Sequence, residues 1–154
     1  MGKKGKTFGA LLFFCYGVCM LWLLFGQRLD EIPKGEYCQL FSQRLILTPF
    51  RTIGRFWRVL RHSTNPQNLR LAAVNLVGNV VMFMPLGFFP PLLWKKTKKF
   101  WQVLLFAILV ILGVELLQSV TLLGYCDIDD VILNLAGALT GYGIWKLISK
   151  KSPE

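Results

Sequence analysis

Histidine is scarce in this sequence, and patterns that signal metal or hydrolytic chemistry are missing. His62 is the single histidine, and the four cysteines show no metal-ligand spacing. There is no nucleophile-elbow motif, and no histidine falls within a long apolar stretch. We therefore expect no metal and no cofactor, and we interpret His62 as a surface residue.

Charge is absent from four long stretches of the chain. They cover residues 8–26, 71–94, 100–123 and 131–145, and Glu115 is the one exception. About 20 apolar residues cross a hydrocarbon core, and a chain of 154 residues with 54% hydrophobic content is too short to bury four such helices in water. The sequence predicts an all-α, polytopic membrane protein. We expect one domain, 1–154, with a four-transmembrane-helix bundle at about 7–26, 71–94, 100–123 and 130–148.

Acidic residues are also few, eight against 18 Lys and Arg, which leaves a net charge of +10. Lysine clusters at 3–6, 95–99 and 146–151 flank the spans and would share one side, the positive-inside pattern. We expect both termini to be cytoplasmic and no nucleic acid to bind, although residues 27–70 on the other side also carry excess Lys and Arg. Cys38 and Cys126 fall on that other side; a disulfide is one alternative, and free thiols are what we expect.

Residues 50–62 are amphipathic at helical spacing and predict an interfacial helix within an outer segment at about 45–62, along the lipid headgroups. The apolar arc contains Phe50, Ile53, Phe56, Trp57 and Leu60, and the basic arc contains Arg51, Arg55, Arg58 and His62. Two interpretations stay open. Either the arginines only meet lipid phosphates, or one or two of them, such as Arg51 or Arg55, serve a specific phosphate or carboxylate.

Glu115 is the one charged residue inside the third apolar stretch. A carboxylate in hydrocarbon costs about 2.5–3.5 kcal/mol on insertion scales, so such residues face a bundle interior or a wet cavity. Gln118 lies on the same helical face. We expect Glu115 to mark a functional site.

Polar side chains also share single faces of the second and fourth predicted helices. At a rise of roughly 1.5 Å per residue, all of them lie at a similar depth near the outer end of their helices. We predict one polar pocket open to the outer face. Its expected residues are Asn75, Asn79, Glu115, Gln118, Asp127, Asp130 and Asn134, with Arg51 on a phosphate. Asp129 points away from the Asp130 face and is expected to be solvated.

A purely structural interpretation of these residues is also open. Asn and Gln side chains cross-link membrane helices, and Gly137 with Gly141 forms a small-x-x-x-small surface for close helix approach. Asp127 fits a helix N-terminus, where the dipole favours an acid. This interpretation explains Asp127 well, Asn75 tolerably and Glu115 poorly.

Four segments, in this order and spacing, carry a resemblance to a known family. They are residues 47–53 (LTPFRTI), 79–88 (NVVMFMPLGF), 115–118 (ELLQ) and 127–137 (DIDDVILNLAG). Over about 45–145 the chain resembles the VanZ-like family of small bacterial membrane proteins. The resemblance implies a bacterial plasma membrane and a link to resistance to teicoplanin, a glycopeptide that binds a lipid-linked cell-wall precursor outside the cell. It implies no particular reaction.

The sequence is compatible with three functions. The favoured one is recognition of a lipid headgroup or a lipid-linked envelope precursor by a non-catalytic or lipid-handling protein. Asn79, Gln118 and Asn134 would supply neutral hydrogen bonds. Glu115 and Asp130 would supply charge or take up a proton. One alternative is an intramembrane enzyme acting on a lipid-linked phosphate or ester, with general acid and base roles divided between two carboxylates. The other is a structural or partner-binding module, whose protein partners the sequence does not identify.

Overall fold

The computed structural model describes residues 3–26 and 37–151. Its elements are α1 (Lys3–Leu24), α2 (Tyr37–Gln43), β1 (Leu45–Ile46), α3 (Arg51–His62), α4 (Pro66–Leu93), α5 (Phe100–Val120), β2 (Cys126–Asp127) and α6 (Ile128–Lys151). Helices α1, α4, α5 and α6 are long and apolar enough to cross a membrane. The predicted helical architecture with four spans is therefore confirmed. The charges at 27–36 lie outside the described residues.

Local signals explain where the spanning helices begin and end. Helix α4 begins at Pro66, earlier than expected, because Asn65 caps it by accepting the N–H of Gln67 at 2.9 Å and proline suits the first helical position. Helix α5 ends at Val120, before the expected residue 123, and Leu122 follows with a positive φ of 58°. A left-handed residue turns the chain out of the helix.

Helices α4 and α6 form the closest pair in the bundle. A Cβ atom at Gly137 would collide with the carbonyl oxygen of Val80, and one at Gly141 would collide with that of Met84. The two backbones therefore touch along a seam that only glycine permits. This seam fixes the depth of α6 relative to α4, and with it the relative depth of their polar residues.

Ring and hydrogen-bond contacts place the lysine-rich ends together. Phe13 of α1 lies 5.4 Å from Phe89 and 6.0 Å from Trp94, near the end of α4. Tyr142 of α6 donates to the carbonyl of Lys98, between α4 and α5, at 3.2 Å. We call this end of the bundle the lysine side and the opposite end, which carries α3, the α3 side. With four spans both termini share one side, and its cytoplasmic location stays a prediction.

A small tertiary assembly that the sequence did not predict organises the α3 side. Strands β1 and β2 pair in parallel over two residues, Leu45 with Cys126 and Ile46 with Asp127. Arg44 also donates to the carbonyl of Gly124 at 2.8 Å. Cys38 and Cys126 are free thiols, as expected. The amphipathic helix between the first two spans is present as α3, and its position along lipid headgroups stays a prediction.

Candidate functional site

A cavity of about 360 Å³ lies on the α3 side, where α3 and the polar ends of α4, α5 and α6 converge. Its lining residues are Leu24, Ile46, Thr52, Arg55, Phe56, Asn75, Asn79, Glu115, Gln118, Tyr125, Asp127, Asp130 and Asn134. Seven of the eight residues proposed from the sequence are among them, and Arg51 is not. Their role in binding stays a prediction.

Glu115 occupies the interior of this site and is only 2% exposed. One carboxylate oxygen accepts the backbone N–H of Asp127 at 3.2 Å, and the other accepts the side-chain amide of Asn134 at 3.3 Å. The neighbouring Leu116 and Leu117 lie on the exposed face of α5. The carboxylate therefore faces the bundle and is kept away from the surface that lipid tails would cover.

Asp130 joins α6 to α4 through Asn79, whose amide donates to its carboxylate at 2.7 Å. Gln118 joins α5 to the end of α1, since its amide donates to the carbonyl of Leu24 at 3.5 Å. Asn75 cross-links nothing with its amide nitrogen, which bonds back to Leu71 in its own helix at 2.8 Å. The amides of Asn79 and Gln118 thus fasten the cavity walls to one another.

Asp127 performs the N-terminal role that its position suggested. One of its oxygens accepts the backbone N–H of Asp129 at 2.9 Å, the bond that a capping residue makes at the start of a helix. Its other oxygen accepts the hydroxyl of Thr52 at 2.6 Å. The same carboxylate therefore caps α6 and attaches α3 to it.

The expectation that Asp129 is solvated is wrong, since its side chain is fully buried. It accepts the backbone N–H groups of Phe50 at 2.5 Å, Thr52 at 2.7 Å and Ile53 at 2.9 Å. Phe50 has a positive φ of 59°, which turns these amides toward one acceptor. Helical phase correctly separates Asp129 from the Asp130 face, but α3 covers the face on which Asp129 lies.

Arg51 was expected to contact a phosphate, and that contact stays a prediction. Arg51 is exposed and does not line the cavity. Thr52, Arg55 and Phe56 line the cavity at i, i+3 and i+4, whereas Arg51 lies at the exposed start of α3, one residue before Thr52. Arg55 is the lining cation instead, and its guanidinium lies 4.9 Å from the ring centroid of Phe56.

Asn134 carries the one buried side-chain oxygen or nitrogen of the described residues that has no hydrogen-bond partner. The side chain is 3% exposed, and its Oδ1 has no hydrogen-bond partner within the described ranges. Its Nδ2 donates to the Glu115 carboxylate at 3.3 Å, so Oδ1 is the atom left to accept. A buried acceptor in a cavity wall favours a ligand that donates a hydrogen bond.

The cavity therefore presents more acidic than basic groups. Of the charged residues that the structure describes, Glu115, Asp127, Asp130 and Arg55 line it. Within residues 3–26 and 37–151, no three His, Cys, Asp or Glu side chains are arranged to hold one metal ion. Cys126 lies between the lining residues Tyr125 and Asp127 in the chain, and burial, followed by the charges of Glu115 and Asp127, raises the pKa of its thiol. It is therefore less prone to ionise than an exposed thiol.

Sequence reasoning missed the contributions of Thr52 and Tyr125 to this cavity. A threonine among the apolar residues of an amphipathic helix was a detectable signal for Thr52, because a polar side chain there needs a partner. Tyr125 had no such signal. It lies in the short connection before β2, where Arg44 stacks over its ring at 5.1 Å.

A family model described as VanZ/LLP1 matches residues 13–149. The match covers most of the chain, and the chain belongs to the VanZ/LLP1 family. The resemblance inferred from the four sequence segments is thus confirmed. No match was found to a curated protein or to a solved structure.

Proposed function

We propose that this VanZ/LLP1 protein binds the polar headgroup of a lipid, or of a lipid-linked cell-wall precursor, in the cavity on its α3 side. One observation carries the proposal: Glu115 is buried in a spanning helix and lines a cavity shared with Asn134 and Asp130. A carboxylate at that depth is costly to maintain, and bonds that only hold helices together can be made by neutral amides.

The surfaces around the cavity favour a ligand that arrives through the membrane. Val74 and Leu117 are next in sequence to the lining residues Asn75 and Gln118, and both are about half exposed on the outside of spanning helices. Lipid chains would cover such apolar surface while a headgroup occupies the adjacent polar cavity. A water-soluble ligand would fill the polar cavity but would not explain why apolar, lipid-facing surface lies directly beside it.

The α3 side faces the extracytoplasmic space in this proposal. The described lysines at the other end, such as Lys95 and Lys99, flank the spans closely, as cytoplasmic lysines do. An impermeant thiol reagent applied to intact cells should label the exposed Cys38. Labelling only after the cells are opened would reverse the assigned sides.

A role in teicoplanin-type resistance follows if the bound headgroup belongs to, or neighbours, the precursor that the antibiotic recognises. Occupation of the cavity would then reduce the antibiotic's access to that precursor at the membrane surface. Susceptibility with and without expression tests this part separately from binding. An unchanged susceptibility would remove the resistance role and leave headgroup binding to its own test.

The decisive experiment measures lipid retained by purified protein, using native mass spectrometry. Glu115→Gln preserves side-chain volume and should lose most of the retained lipid, because the carboxylate is replaced by an uncharged amide. Arg55→Gln should also reduce retention, whereas Arg51→Gln removes an exposed cation that does not line the cavity and should match the parent. Equal retention by folded parent and Glu115→Gln protein would refute the proposal.

A further inference from the structure

The polar groups of the cavity have a definite bias in charge. Among the described residues, three carboxylates, those of Glu115, Asp127 and Asp130, line it together with the guanidinium of Arg55. An anionic group placed between these carboxylates would be repelled in a site that water screens poorly. A phosphate can bind at Arg55, but a phosphate alone leaves the acidic wall unmatched.

The unmatched atom in the wall points to the same ligand chemistry. Asn134 Oδ1 is buried and has no partner among the described residues, while Asn134 Nδ2 is committed to Glu115. This oxygen can only accept a hydrogen bond, so the group that satisfies it must donate one. A primary ammonium has three N–H donors and a positive charge, and it matches both the oxygen and the carboxylates beside it.

We infer that the ligand is a phospholipid whose headgroup ends in a primary ammonium. This inference rests on the proposed function and names its substrate class. The ammonium is held by Asn134 Oδ1 and by the carboxylate of Glu115, with Asp130 adding negative charge. The adjoining phosphate is held by Arg55, which lines the cavity with its guanidinium stacked on the ring of Phe56.

Competing occupants are distinguished by the donor that Asn134 Oδ1 needs. A metal ion is disfavoured because no three acidic, thiol or imidazole groups of the described chain are arranged to ligate one. A trimethylammonium headgroup has the same charge as a primary ammonium but carries no N–H. It therefore separates hydrogen-bond recognition from charge recognition.

The experiment compares three lipids with identical acyl chains on the full-length protein: phosphatidylethanolamine, phosphatidylcholine and phosphatidylglycerol. Retention of each is measured by native mass spectrometry from mixed micelles. Phosphatidylethanolamine should be retained about tenfold more than either of the others, the factor that one charge-assisted hydrogen bond supplies. Asn134→Ala should reduce this preference to about twofold or less, while Asn68→Ala, at an exposed position at the start of α4, should preserve it.

Asp130→Asn is a second variant in case Asn134→Ala does not fold. An amide oxygen at position 130 can still accept from Asn79, so the helix contact survives while a negative charge is lost. It should also weaken the preference for phosphatidylethanolamine. A preference that is unchanged in this variant would overturn the inference.

The outcomes separate the inference from the proposed function. If phosphatidylcholine or phosphatidylglycerol binds as well as phosphatidylethanolamine and all binding is lost in Glu115→Gln, the ammonium inference fails and headgroup binding stands. If no lipid distinguishes the parent from Glu115→Gln, the proposed function fails. Phosphoethanolamine without acyl chains should displace the lipid only weakly. Displacement at equal concentration would assign the site to a soluble amine and overturn the choice of a lipid.

Discussion

The carboxylate of Asp129 accepts the backbone N–H of Thr52 at 2.7 Å, although 77 positions separate the two residues in the chain. Together with the N–H groups of Phe50 and Ile53, it receives three backbone bonds at the start of α3. A negative group at this end of a helix also meets the positive end of the helix dipole. The first backbone N–H groups of the helix that covers the cavity are therefore held by one buried acid of α6, in addition to the bond from the Thr52 hydroxyl to Asp127.

Substituting Asp129 with Asn should release α3. The amide retains one acceptor oxygen and turns an NH₂ group toward backbone donors, so buried N–H groups lose their acceptor at about 1–3 kcal/mol each. We expect a free energy of unfolding lower by about 2–4 kcal/mol, together with faster amide exchange at residues 50–53. Hydrogen exchange read by mass spectrometry measures the second effect.

Asp130→Asn is the matched control for this release, because Asp130 bonds to α4 through Asn79. Exchange at residues 50–53 should stay at the parental rate in that variant. Parental exchange in Asp129→Asn as well would show that the three bonds do not hold the helix.

The seam between α4 and α6 should tolerate no side chain at Gly137. Its Cβ would meet the Val80 carbonyl, and overpacking of this kind costs about 1–3 kcal/mol. Gly143→Ala on the same helix has open space around it and should be neutral or stabilise α6 by up to about 1 kcal/mol through helix propensity. Unfolding by SDS titration measures the free energy of unfolding of the two variants. Equal values for the substitutions at Gly137 and Gly143 would contradict the close contact between α4 and α6.

The bond between Asn79 and Asp130 should appear as a coupling energy. In a double-mutant cycle with alanine at both positions, we expect a coupling energy of about 1–2 kcal/mol. This is more than the average hydrogen bond between neutral side chains of membrane helices contributes, because the acceptor here is a charged carboxylate. A parallel cycle that pairs Asn75 with Asp130 should give about zero, because the Asn75 amide bonds to Leu71. Equal coupling energies in the two cycles would show that the coupling does not come from the hydrogen bond between Asn79 and Asp130.

Alkylation should distinguish Cys38 from Cys126. Cys38 is exposed, while the raised pKa of Cys126 lowers its thiolate fraction at a given pH. With Cys15 and Cys19 replaced by alanine, we expect Cys126 to react more slowly at pH 8 and to accelerate only at higher pH. Single Cys38→Ser and Cys126→Ser variants assign the two rates. Identical pH profiles would contradict the burial of Cys126.

Helical periodicity identified much of the cavity because the constraint acts locally. A polar side chain on a spanning helix must face the interior, so the faces of Asn79, Glu115 and Asn134 follow from their spacing alone. Spacing did not predict that Arg51 lies outside the cavity, for a related reason. The basic arc of α3 contains both Arg51 and Arg55, and the choice between them depends on which side of α3 meets the bundle, which spacing within α3 does not encode.

The amino-acid sequence by itself determined four apolar spans and the helical faces on which amides and acids lie, because insertion into lipid penalises charge residue by residue. Only the tertiary structure decided what each acid contacts. Asp127, Asp129 and Asp130 are close neighbours in the chain, yet they bind Thr52, the amides at the start of α3, and Asn79, respectively. The physical reason is that helical phase fixes the direction of a side chain, whereas the segment that it meets is brought there by packing of distant parts of the chain.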